Sequence, residues 1–417
     1  MSQPFNFKNL LICFETQISE QDAAEYRYIT SNFFGRVEFD FENTEKHARE
    51  ASLVFICGDI QEILKHKAIQ TNIEKIRIIG QLSHNFDSTS HKSVSNGQIP
   101  INIHGVGLYY RKYFDGDDSD YFEQIKNAHQ FQLLTESTKA DVSLRKGIYL
   151  SKVDKDESND AIHFHLLRCS TNLHGPTDCF RSIDDKVVNA VNEGATPFFN
   201  HPAKLNHVLA QIYDNSTTIN GVKSKEKKAT IKRHSDKTKD MPDNGLIAFT
   251  TFYQKKLIPN SEMNSNKSEN HSPFDLLYKN TTSVLTKLRF VLKGSVQERA
   301  GLVEKFDLLL YPNSVFIIPL YTNRIYTHEI VPSSLPVDII PTRLGYVIRC
   351  SNTEAIFKDQ KTFLKQEASL VELRKPTPQD LEELRCKYRE ENIYHRVVEY
   401  GNVHFSMNDG DYQQPIL

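Results

Sequence analysis

The chain has 417 residues, 39% hydrophobic and 25% charged, which predicts two or three folded units with ordinary cores and excludes wholesale disorder. Fifty-one basic and 53 acidic side chains leave a formal charge of −2, so bulk electrostatic coating of nucleic acid is excluded and any anion binding has to be local. No stretch approaches the roughly 18 to 20 apolar residues of a membrane span, and the first residues lack the basic and small-residue features of a signal peptide.

In chain order, Leu10–Phe14, Val37–Phe41, Ser52–Cys57 and Lys75–Ile79 read as short apolar strands. Helices are expected from Ser19 to near Gly35 and over Gln61–Gln70. Apolar strands spaced by helices predict a small parallel α/β domain over residues 1–85, with an accessory or docking role. Residues 86–99 are polar and read as a linker. A larger unit follows over 100–357, opening with Ile101–Tyr110 and a helix near Asp118–Ala128. Strands are expected at Gly147–Val153, His163–Cys169, His207–Tyr213, Leu246–Tyr253, Leu285–Leu292, Phe306–Leu310, Val315–Leu320 and Tyr346–Cys350. Many short strands divided by Pro, Gly and Asn predict a sandwich, barrel or jelly roll. Asn215–Lys228 and Lys255–Ser272 interrupt the pattern as polar inserts. Residues 358–417 read as an extension with a helix at Thr377–Glu391 and a strand at His395–Tyr400. The cysteines Cys13, Cys57, Cys169, Cys179, Cys350 and Cys386 form no CxxC pair and read as reduced thiols, hence an intracellular chain, cytoplasmic or nuclear.

The chemistry-bearing residues lie in the larger unit. His234-Ser-Asp236 is the one His-x-Asp/Glu triplet of the chain. At i and i+2 of a strand both side chains leave one face and can share a metal ion. His328 is the best third ligand, and two histidines with one carboxylate leave the open positions preferred by non-haem Fe(II) oxygenases. Arg343 and Arg349 lie six residues apart on one expected strand, so both can point inward. A buried guanidinium needs a carboxylate, and a free dicarboxylate ligand is the simplest. Taken singly, His234 and Asp236 also read as a surface polar pair, His328 as a core histidine, and the arginines as structural salt bridges.

Together these segments resemble the AlkB-type Fe(II)/2-oxoglutarate dioxygenases. His234-Ser-Asp236-Lys237 is similar to the family's H-x-D-K, Asn323-Arg-Ile-Tyr-Thr-His328 to its segment before the distal histidine, and Arg343-x5-Arg349 to its R-x-N-x-x-x-R. Gln211-Ile-Tyr213 sits where the family has N-x-Y. The resemblance spans roughly residues 100–357. It implies an α+β chain with a double-stranded β-helix (jelly-roll) oxygenase core. Iron would be held by His234, Asp236 and His328, with 2-oxoglutarate as cosubstrate on Arg343, Tyr213 and Gln211 and with Arg349 near the iron end. Gly345 and Gln211 depart from family asparagines, and Thr238 stands where bacterial AlkB has a base-contacting acid, so substrate preference does not carry over. The implied reaction is demethylation or hydroxylation of a nucleic-acid base. The alternatives are the same chemistry on a protein side chain or small molecule, or a non-catalytic jelly-roll binding protein. Basic residues from Lys223 to Lys239, including Lys232, Arg233 and Lys237, flank the expected iron strand and suit an anionic substrate, though such a run also reads as a solvated loop.

Overall fold

The computed structural model describes residues 4–13, 23–39, 44–58, 73–81, 92–116, 118–135, 142–169, 173–220, 223–255, 278–279, 282–367 and 369–417. The start of the first expected helix at Ser19, the expected helix Gln61–Gln70 and nearly all of the insert Lys255–Ser272 lie outside the described residues.

The N-terminal elements are β1 (Leu10–Cys13), α1 (Ala23–Asn32), β2 (Arg36–Glu38), α2 (Thr44–Glu50), β3 (Val54–Gly58), β4 (Ile76–Gln81) and β5 (Lys92–Ser93). The strands form a sheet in the order β2-β1-β3-β4-β5, each pair parallel. Alternation decides which face each residue covers. Leu10, Ile12, Val54, Ile56, Ile76 and Ile78 pack with Ala48 and Ala51 of the α2 region. Leu11, Cys13, Phe55 and Cys57 face the other way and join the main core beside Ile99 and Ile101. Burial of both faces explains why β1 and β3 read as unbroken apolar runs. Within the stretch read as a linker, β5 pairs with β4, and Gln98 accepts from Ser95 N at 2.9 Å and donates to the Tyr113 and Asp115 carbonyls. Both β5 side chains are exposed, so that edge strand carries no apolar pattern.

The larger unit continues with β6 (Ile101–Ile103), β7 (Gly107–Tyr110), α3 (Tyr121–Ala128), β8 (Gln132–Thr135), β9 (Val142–Ser151), β10 (Asp154–Asp156), β11 (Ala161–Leu166), β12 (Asp178–Cys179) and α4 (Ser182–Ala195). Next come β13 (His207–Tyr213), β14 (Ser216–Asn220), β15 (Lys223–Lys227), β16 (Ile231–His234), β17 (Leu246–Tyr253), β18 (Tyr278–Lys279), β19 (Thr282–Ser283), β20 (Lys287–Leu292) and β21 (Lys305–Leu309). The chain ends with β22 (Ser314–Pro319), α5 (Leu320–Ile325), β23 (Tyr326–Val331), β24 (Arg343–Arg349), β25 (Thr353–Lys358), β26 (Lys361–Gln366), β27 (Ser369–Glu372) and α6 (Pro378–Ile393).

A nine-stranded sheet runs β12-β9-β13-β24-β17-β22-β7-β6, with β8 also on β9, and a four-stranded sheet runs β16-β23-β20-β21. Phe249 and Phe316 of the first sheet meet Phe290 and His328 of the second, which packs the two face to face. This mixed α/β architecture, dominated by antiparallel pairs, is consistent with a jelly-roll oxygenase. Period-two alternation in β24 sorts its chemistry. Tyr346 points to the helix side, where its hydroxyl donates to Asp184 of α4 at 2.7 Å, while Arg343, Gly345, Val347 and Arg349 face the space between the sheets.

Helix α4 was not anticipated, although Ile183, Val187, Val188, Val191 and Ala195 give it a buried stripe at helical spacing. The polar insert Asn215–Lys228 is largely the β14–β15 hairpin. Residue 357, the expected end of the oxygenase unit, lies inside β25, whose turn at Asp359 and Gln360 (φ 51° and 60°) leads straight into β26. The sheet β10-β11-β25-β26-β27 buries its own apolar cluster around Phe164, Phe357 and Leu364. The expected strand His395–Tyr400 is a correction: it has no ladder partner and runs as irregular chain after α6, with Val398 buried and Tyr400 against Tyr388. No helix among the described residues is long and apolar enough to cross a membrane.

One buried cluster sets a pH dependence. His129 lies between Asp178 (Nδ1 to Oδ2, 2.7 Å) and Asp184 (Nε2 to Oδ2, 2.8 Å). Burial alone would lower its pKa, but the two carboxylates outweigh that and raise it to about 9. A raised folded pKa gives stabilisation that is complete below the unfolded value near 6.5 and lost as pH rises through about 9. Lys239 and Lys293, with pKa values held down by burial to about 8 and about 7, act in the opposite sense, so a difference measurement is needed. Between pH 6 and 10 the stability advantage of the wild type over His129→Gln in urea melts is expected to shrink by up to about 3 kcal/mol. An advantage independent of pH would contradict the charged state.

Candidate metal centre

His234 closes β16 and His328 lies in β23 directly opposite it in the ladder, with ring centroids 4.5 Å apart. Asp236 lies two residues beyond the end of β16, in chain without regular secondary structure, so the expected strand alternation does not extend to it. The Asp236 backbone is fixed there by Asn323, whose Oδ1 accepts from Asp236 N and whose Nδ2 donates to Asp236 O, both at 2.9 Å. One atom from each of His234, Asp236 and His328 lies within 4.8 Å of the others. Asp236 Oδ1 is 3.6 Å from His234 Nε2 and 3.9 Å from His328 Nε2.

The protonation states suit a cation. His234 Nδ1 is 2.8 Å from the Lys232 carbonyl, which can only accept, so Nδ1 carries the proton and Nε2 is left as a donor to metal. Burial, reinforced by His234, holds the His328 pKa down to about 3, which keeps its imidazole neutral. Phe249 and Phe290 flank the His328 ring at 5.2 and 5.7 Å. Burial would favour a protonated Asp236, but Arg349 overcomes this and holds the carboxyl well below the usual range. Arg349 donates from Nε to the second Asp236 oxygen at 2.9 Å, with Nη2 also 2.9 Å from that oxygen in the ion pair, leaving Oδ1 toward the histidines.

These groups line a cavity of about 260 Å³ that also holds Gln211, Tyr213, Thr251, Lys237, Arg343 and Arg145. Arg343 is 4% exposed, and its Nε and Nη2 have no hydrogen-bond partner among the described residues. Its guanidinium lies 3.7 Å over the Tyr213 ring, and the Tyr213 hydroxyl donates to Gln211 Oε1 at 3.0 Å. Arg145 was missed by sequence reasoning, because a lone arginine on a strand carries no motif. It is the ladder partner of Tyr213, which is in turn the partner of Arg343, and its Nε is also buried without a partner. Among the lining residues Arg145, Lys237, Arg343 and Arg349 are cations and Asp236 is the one carboxylate, so the cavity is built for an anion.

The glycine that departs from the family pattern has a local cause. A Cβ at Gly345 would lie 2.8 Å from Arg343 Nη1 and 3.1 Å from the Tyr213 ring. Gly345→Ala is therefore expected to displace the flexible guanidinium and to weaken binding of a dicarboxylate probe in this cavity about 10-fold. Equal affinity for that probe in the two proteins would show that the Arg343–Tyr213 stack does not meet the anion.

Of the residues expected at the substrate, Lys232 and Arg233 are exposed on β16. Lys237 also lines the cavity, but its ammonium is donated to α6, to Tyr388 O at 2.9 Å and Asn392 Oδ1 at 2.8 Å. Thr238 is likewise bound to Glu391 of that helix, through its N–H at 3.1 Å and through its hydroxyl. No signal in the sequence ties residues 235–238 to a helix more than 150 positions away.

No family model and no curated protein matches the chain. Among solved structures it is similar to OsALKBH1, at 10% identity and a TM-score of 0.33, over 58% of this chain and 96% of that one. It is also similar to the Fe(II)/α-ketoglutarate-dependent dioxygenase TqaL, at 9% identity and a TM-score of 0.24, over 62% and 79% of the two chains. At that overlap the chemistry has to be read from the side chains of the cavity.

Proposed function

We propose that the chain is an Fe(II)- and 2-oxoglutarate-dependent dioxygenase whose core, β13, β16, β17 and β20 to β24, is a double-stranded β-helix. Supporting the fold, these strands give the orders β13-β24-β17-β22 in one sheet and β16-β23-β20-β21 in the other. The observation that carries the function is Arg343: a buried guanidinium with two unpartnered nitrogens, in one cavity with a His-Asp-His trio. An unpaired buried charge costs several kcal/mol, and a ligand carboxylate removes that cost. His234, Asp236 and His328 would hold the metal, and two histidines with one carboxylate are the donor set that non-haem Fe(II) oxygenases use.

When bound, the iron supplies oxidative decarboxylation of oxoglutarate coupled to hydroxylation of a substrate C–H. In balance, oxoglutarate, dioxygen and R–H give succinate, carbon dioxide and R–OH; an N-methyl group would leave as formaldehyde. Arg349 keeps Asp236 ionised and fixes which oxygen faces the histidines. Arg343 would bind the distal carboxylate, with Arg145 two strands away across Tyr213 in the same cavity, and Phe249 and Phe290 keep water from His328.

The substrate we favour is a nucleic-acid base, because the strand that carries His234 presents Lys232 and Arg233 outward and is preceded by the exposed Lys225 and Lys227. Such a chain works in a reducing compartment, cytoplasm or nucleus, consistent with six free cysteines. The test is Fe(II)-dependent succinate release from oxoglutarate over methylated single- and double-stranded DNA and RNA, with peptides as the contrasting set. Stimulation by a methylated nucleic acid with formaldehyde release is expected. Stimulation by peptide alone would move the substrate, and no turnover with any of them would leave a binding protein.

A further inference from the structure

We propose that helix α6, which lies outside the two facing sheets, is a positioning element of the metal centre and that Asn392 is its contact residue; this rests on the metal reading above. One atom, Asn392 Oδ1, accepts from the Ser235 N–H at 2.9 Å and from Lys237 Nζ at 2.8 Å, the residues on either side of Asp236. Thr238 adds its two bonds to Glu391, the residue before Asn392 on the same helix. Asp236 lies past the end of β16, outside the ladder; Asn323 holds its own N–H and C=O, and Asn392 holds the residues on either side of it.

The helix is itself anchored at several points. Thr377 and Asp380 form a capping box at its start. At its C-terminal end the buried Lys293 ammonium donates to the carbonyls of Glu391 at 2.6 Å and Tyr394 at 3.3 Å, where the helix dipole favours a cation. Midway, the Tyr388 hydroxyl donates to Arg168 O at 2.8 Å. The outward surface of α6 is polar and its buried residues are few, Leu384 and Glu391, so it contributes little core. Its bonds to Ser235, Lys237 and Thr238 all fall on the segment that carries the carboxylate ligand.

Groups that orient a ligand from behind change metal affinity by about 10- to 100-fold when removed. The test uses the full chain, Co(II) as a redox-stable probe titrated through its visible absorption, and the metal-free melting temperature measured in parallel. Asn392→Ala is expected to weaken Co(II) binding by about 10-fold or more. Asn392→Asp, which keeps an acceptor oxygen for both donors, is expected to recover most of it. Should Asn392→Ala not fold, Asn392→Ser, which withdraws the acceptor but stays polar, carries the same comparison. Wild-type affinity in a folded Ala or Ser variant, whatever its melting temperature, would overturn the proposal. Failure of the wild type itself to bind Co(II) would instead overturn the metal reading on which it rests.

Discussion

Arg343→Ala is expected to raise the oxoglutarate concentration needed for half-saturation by about 10²-fold or more, the cost of removing one partner of a buried hydrogen-bonded charge pair. The guanidinium nitrogens Nε and Nη2 have no protein acceptor among the described residues, which leaves them available to a ligand carboxylate. Two companions sharpen the result. Arg343→Lys keeps the charge and loses the planar fork, and should fall between wild type and alanine. Arg145→Ala should cost about 10-fold, because Arg145 is two strands away and only half-buried. A 2-oxo acid without the distal carboxylate should bind all of these proteins alike. Unchanged diacid affinity in Arg343→Ala would remove the cosubstrate from this end of the cavity.

Asp236→Ala is expected to abolish metal binding and turnover and also to destabilise the metal-free protein by about 3–5 kcal/mol, because it strands the buried Arg349 guanidinium. The joint effect is the diagnostic feature, since loss of a ligand that is only a ligand leaves the apo protein unchanged. Asp236 and Arg349 are 6% and 5% exposed, so solvent screens the pair little. A carboxyl held below its unfolded value near 3.8 contributes stability that is present above that pH and fades as pH falls toward the folded value. The wild-type advantage over Asp236→Ala should therefore be flat through neutrality and decline only in acid. Urea melts of the two metal-free proteins, read at several pH values, check both statements.

The parts of the site that were legible in the sequence are those with local spacing. His234 and Asp236 are two residues apart, and Arg343 and Arg349 share a strand whose alternation sends both into the cavity. The core strands His207–Tyr213 and Leu246–Tyr253 have the expected bounds because burial on both faces makes them largely apolar, with few polar residues to break the pattern. The mechanism by which Asp236 reaches the histidines was not legible. Strand alternation was the expected device, whereas Asp236 lies past the end of β16 and its backbone is held by Asn323. Arg145 could not be found because its meaning comes from ladder register with Tyr213, which no single-strand pattern encodes. Helix α4 was hidden because its apolar stripe lies in a stretch otherwise dominated by short strands. The bracing role of α6 depends on contacts between distant segments, and the helix itself looks like an ordinary charged surface helix.

An anaerobic titration of Fe(II) into the protein with oxoglutarate, followed by the weak visible charge-transfer band, tests the central claim most directly. The wild type should develop the band at one iron per chain and only when oxoglutarate is present, while Asp236→Ala and His328→Ala should remain colourless. Absence of the band in the wild type, or its persistence in the two variants, would contradict a chelated 2-oxo acid on a His234, Asp236 and His328 centre.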